Sequence, residues 1–150
     1  MTTTTTTRAT DEPRALEASR PASFEDPAYQ AFWLLRIGFV VAPILFGLDK
    51  FFHVLVDWDR YLAPEFTDLF NAQAHTLMYA VGVVEIVAGL VIAVWPRFGG
   101  YLVAAWLAGI ILNLLLMADY YDIALRDFGL LLAALSLARL AAAFPARQRA

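Results

Sequence analysis

Apolar residues dominate four blocks of this chain, and short polar stretches separate them. The first block, Phe32 to Val54, is long enough at ~1.5 Å rise per residue to cross a ~30 Å hydrocarbon layer. The second runs from Thr76 to Trp95, the third from Tyr101 to Met117, and the fourth from about Phe128 to Phe144. Helices are expected at about 32–54, 76–95, 101–118 and 123–144. Short connections join them, so the expected fold is an all-α membrane protein, an antiparallel bundle of four transmembrane helices within residues 31–145. Residues 1–30 open with a threonine run and read as a polar, disordered tail; residues 146–150 form a second, short one. The first apolar block begins too late for a secretory signal.

The connections carry their own pattern. Trp58, Tyr61, Phe66 and Phe70 alternate with acidic residues after the first block, and Pro64 interrupts any long helix there. This suits an interfacial loop or a short amphipathic helix with its aromatics at headgroup depth. Trp95-Pro96-Arg97-Phe98-Gly99-Gly100 reads as a tight turn. Basic residues set orientation: Arg8, Arg14, Arg20, Arg97, Arg147 and Arg149 fall on the side of both termini, against Lys50, Arg60 and Arg126 on the other. Both termini are therefore expected in the cytoplasm.

Polar residues inside the apolar blocks are the candidate chemistry. A turn of ~100° per residue puts Arg36, Gly47 and Lys50 on one face of the first helix, with Asp49 nearly opposite. Glu85 lies near the middle of the second block, and Gly82 and Gly89 share its face, where small residues admit a close neighbour. A carboxylate at that depth costs ~2.5–3.5 kcal/mol on insertion scales, so Glu85 either pairs with a cation or keeps its proton. Lys50 is its natural partner and Arg36 the second choice. A structural ion pair that fixes register and a functional polar pocket formed by Arg36, Lys50, Glu85 and Asn113 are equally weighted readings. Asn113, one turn from Gly109, reads first as a hydrogen-bonding group between helices. Asp49 and His53, four apart, are placed to bond to each other.

Composition narrows the chemistry further. The 150 residues are 61% hydrophobic, above the ~45–50% of soluble domains. With a net charge of −3 and no basic cluster, nucleic acid is not an expected partner. Cysteine is absent, which removes disulfides, thiol catalysis, iron–sulfur clusters and Cys-based zinc sites. No HExxH motif, phosphate-binding glycine loop or serine-nucleophile motif occurs, and no metal site is read from the sequence. His53 and His75 end one helix and begin the next, so they could hold a haem or a metal ion. Helix-end histidines are more often interfacial, and a haem is not expected. Asp122 and Arg126, four apart, read as a solvated pair at a helix start.

The first helix, with Arg36 and Gly47-Leu48-Asp49-Lys50, resembles the opening helix of DoxX-type proteins. Gly82-Val83-Val84-Glu85-Ile86-Val87-Ala88-Gly89 is similar to their second helix. The likeness spans about residues 32 to 144 and implies a small four-helix protein of the bacterial inner (plasma) membrane. Some members are linked to quinone-dependent oxidation of sulfur compounds or to membrane redox complexes. It carries over to Arg36, Gly47, Lys50, Gly82, Glu85 and Gly89 and no further; the long polar tail and acidic aromatic loop depart from it. The first expectation is a redox-associated subunit whose pocket around Lys50 and Glu85 binds a quinone, with Lys50 or Asn113 donating to a carbonyl. It would contact lipid and another membrane or redox protein, and would not catalyse alone. The others are a non-catalytic assembly subunit and, behind it, a small proton-coupled transporter. Oligomerisation stays open.

Overall fold

The computed structural model describes residues 24–70 and 73–144, and these are all-helical. In chain order they form α1 (Pro27–Phe52), a 3-10 turn (Trp58–Tyr61), α2 (Pro64–Phe70), α3 (Ala74–Val94), α4 (Pro96–Met117) and α5 (Tyr121–Ala143). The expected tail up to residue 23, the expected C-terminal tail, and Arg8, Arg14, Arg20, Arg147 and Arg149 lie outside the described residues.

All four long helices start earlier than the apolar pattern alone suggests, and a proline at the first helical position gives the reason in two. Asp26 accepts the Ala28 N–H at 2.9 Å and Pro27 occupies the first helical position, so α1 begins inside the expected tail. Pro96 likewise opens α4. Trp95 alone links α3 to α4, and the Gly99-Gly100 pair expected in a turn is helical. Those glycines serve packing: a Cβ on Gly100 would lie 2.9 Å from the Ala134 carbonyl of α5.

The helices associate chiefly as α1 with α3 and α4 with α5. Between α1 and α3 the backbones nearly touch. A Cβ on Gly47 would lie 2.6 Å from the Gly82 carbonyl, one on Gly82 2.8 Å from that of Gly47, and one on Gly89 2.9 Å from that of Val40. Gly109, expected at a helix contact, instead faces open space, with nothing within 4 Å of its Cβ position. Ile92, Val103, Ala104, Leu107, Ala134 and Leu137 make the shared core. Tyr29 and Phe32 meet Phe144 at one end, so the two described chain ends lie together. Tyr61 and Tyr120 meet at the other, joining the first loop to the α4–α5 connection.

The outward faces are apolar. On α1 Leu34, Ile37, Val41, Leu45, Leu48 and Phe52 are exposed at helical spacing, and on α3 Val83, Val87, Leu90 and Val94. Only 11% of the most apolar window of α1 is buried, so its hydrophobicity serves an apolar surrounding rather than the core. Three helices, α1, α3 and α4, are long and apolar enough to cross a membrane. α5, at 23 residues, is long enough but carries Arg126, Asp127 and Arg139. These features mark a membrane-associated chain with helices in contact with lipid.

Candidate functional site

Because Gly47 and Gly82 let α1 and α3 come into contact, the residues one turn on from each face one another. Lys50 Nζ donates to Glu85 Oε2 at 2.7 Å, with side chains 4% and 12% exposed. The ammonium also sits 4.0 Å from the Trp58 ring centroid. Trp106 of α4 turns its indole N–H toward the Glu85 carboxylate but stops short of hydrogen-bond geometry. That buried N–H makes no well-formed hydrogen bond among the described residues. Asp127 of α5, itself buried, is within electrostatic range of Glu85 and lies 3.6 Å from Arg126. Each of the four long helices thus contributes one polar side chain.

The loop side of this cluster is held by two buried polar residues. Asp49 does not bond the His53 side chain, and it is buried rather than turned away from the bundle. Its carboxylate accepts the N–H groups of Val54 and Leu55, at 3.0 and 3.1 Å, and the Trp58 indole at 2.7 Å. This fixes the chain reversal after α1 and sets Trp58 over Lys50. Asn113 does not reach between two long helices. It accepts the Ala63 N–H at 2.9 Å and donates to the Tyr61 carbonyl at 2.6 Å, clamping the first loop onto α4.

Arg36 is elsewhere. It donates to the Ala93 carbonyl at 2.6 Å and lies 4.9 Å from the Trp33 ring, toward the end that holds both described chain ends. Trp33, Arg36, Ile37, Val40, Val41 and Ala93 line an open groove there of about 260 Å³. The Trp33 indole N–H is also buried without a partner among the described residues. Arg126 lies against Asp127 rather than Asp122.

No family model, curated protein or solved structure matches this chain. The assignment of a role therefore rests on geometry. The cluster offers two carboxyl groups, one ammonium and a neutral donor without a well-formed hydrogen bond, largely shielded from water, an arrangement suited to a small polar headgroup carrying carbonyl acceptors.

His53 and His75 stack face to face, ring centroids 5.2 Å apart and planes 16° from parallel. Axial haem ligation instead opposes two nitrogens along one line through the iron. Asp59, which the sequence reading passed over, lies beside them, 3.0 Å from His75 Nδ1. Its signal is faint: nothing local distinguishes it from Asp57 until Asp49 and Trp58 fold the turn.

Proposed function

We propose that the chain is a DoxX-like integral membrane subunit of a redox system, with a quinone headgroup held in the cluster around Lys50 and Glu85. In this reading α5 crosses alongside the other three helices, Arg139 snorkelling to the nearer surface. Arg36, Arg97 and Arg139 favour a cytoplasmic location for both termini, in the bacterial inner membrane. The observation that carries the reading is the indole N–H of Trp106, buried beside an ion pair without a well-formed hydrogen bond. A donor left unsatisfied in that setting costs ~1–3 kcal/mol, which a carbonyl acceptor recovers.

The residues fit such a headgroup. Trp106 would donate to a carbonyl oxygen of the quinone, and Lys50, with three N–H donors of which Glu85 takes one, would have another to offer. Glu85 holds or releases a proton at its carboxylate. Trp58 covers the ammonium and excludes water. A bound quinone supplies two-electron, two-proton redox chemistry. The electrons would come from a partner protein.

The closed 2.7 Å contact of Lys50 with Glu85 favours a second reading, an assembly subunit in which the pair only locks helices. Thermal unfolding in detergent with and without a short-chain quinone separates the two. The redox reading expects stabilisation of the wild type that Trp106→Phe abolishes. No stabilisation, or equal stabilisation of both proteins, overturns it.

A further inference from the structure

The ends of α1 and α3 meet in a second cluster that the site between the helices does not use. His53 closes α1 in a left-handed conformation with φ 52°, Asp59 lies in the 3-10 turn, and His75 lies in the first turn of α3. One ligand atom from each of the three lies within 4.8 Å of the others. His75 Nδ1 is 3.0 Å from Asp59 Oδ2, and its Nε2 is 2.8 Å from the Tyr79 hydroxyl. Two further polar atoms of the cluster, Nε2 of His53 and Oδ1 of Asp59, are buried without a hydrogen-bond partner among the described residues.

We infer that His53, Asp59 and His75 bind a divalent first-row transition-metal ion of the zinc class. Two imidazoles and one carboxylate are the donor set such ions prefer, whereas calcium and magnesium take oxygen ligands. With bonds of ~2.0–2.2 Å, tetrahedral ligands lie ~3.4 Å apart, and His75 Nδ1 stands 3.0 Å from Asp59 Oδ2. All three ligand atoms already lie within 4.8 Å of one another, so small side-chain rotations bring them to that spacing. Tyr79 bonds the second nitrogen of His75, the outer contact that orients a ligating imidazole. Asp49 completes the support: it holds Trp58, the residue before Asp59, and the backbone that follows His53. Asp57 before the 3-10 turn and Glu65 and Asp68 of α2 outnumber Arg60 in this connection, leaving it net acidic. Three protein ligands leave positions free for water or an exogenous ligand.

The test uses the full chain in detergent, stripped with a chelator and titrated with Zn2+ and, separately, Mg2+. Calorimetry is expected to give one Zn2+ per chain, and His53→Asn and Asp59→Asn each to weaken binding by about tenfold or more. Asparagine at 53 tolerates the left-handed backbone, so the chain reversal is kept. A wild-type measurement stands beside these variants. His53 and His75 are the only histidines, and Zn2+ should protect them from carbethoxylation, mapped by mass spectrometry, whereas Mg2+ should not. Absence of Zn2+ binding in the micromolar range, Zn2+ binding that leaves both histidines reactive, or equal protection by Mg2+ overturns the inference. None of these readouts involves a quinone, so the site stands or falls apart from the proposed function.

Discussion

Removing the carboxylate of Glu85 strikes the interior of the helices at its most dependent point. Lys50 is 3% exposed, so Glu85→Ala strands an ammonium where little solvent reaches it. Breaking a buried pair from one side costs ~3–5 kcal/mol. The Trp58 ring keeps its cation–π contact with the ammonium and offsets ~1–2 kcal/mol of that. The remaining ~1–4 kcal/mol, at ~2–4 °C per kcal/mol for a chain of this size, lowers the melting temperature by ~2–16 °C. Deleting both charges in Lys50→Met/Glu85→Leu should recover most of the loss, because the cost lies in the stranded charge and not in the missing attraction. Circular dichroism melts of the three proteins in one detergent read the effect. A Glu85→Ala melt within about 1 °C of wild type, or a double variant no better than the single, would refute the account of this contact.

Gly82→Ala forces a Cβ against the Gly47 carbonyl and should destabilise by ~1–3 kcal/mol. Gly109→Ala, with open space around it, should be neutral or stabilise by up to ~1 kcal/mol through helix propensity; the same melts compare them. Asn113→Ala leaves the fully buried Ala63 N–H unpaired at ~1–3 kcal/mol. Hydrogen exchange should then lose protection at residues 61–63 while α3 and α5 keep theirs.

The contact of Lys50 with Glu85 is legible in the sequence because each is a charge in an apolar block, and Gly47, Gly82 and Gly89 share the faces that bring them together. Helix starts are less legible. Asp26-Pro27 and Trp95-Pro96 look like breaks to a reading based on hydrophobicity, whereas a proline at the first helical position begins a helix. Trp106 is lost among lipid-compatible aromatics, since only the packed helices reveal that its N–H points inward. Asp59 is hidden for a different reason: its place depends on Asp49 gripping an indole nine residues away. Asn113 reads as a bridge between helices because sequence cannot tell a neighbouring helix from a loop folded over the helix end.

The quinone headgroup proposed above would sit among Lys50, Glu85 and Trp106 in the helix interior. Photolabelling of the purified wild-type chain with a short-chain azidoquinone, followed by peptide mapping, tests this placement most directly. Adducts are expected on the segments of α1, α3 and α4 that carry Lys50, Glu85 and Trp106, competed away by unmodified quinone. Adducts confined to the groove beside Trp33 and Arg36, or labelling that competitor does not reduce, would contradict it.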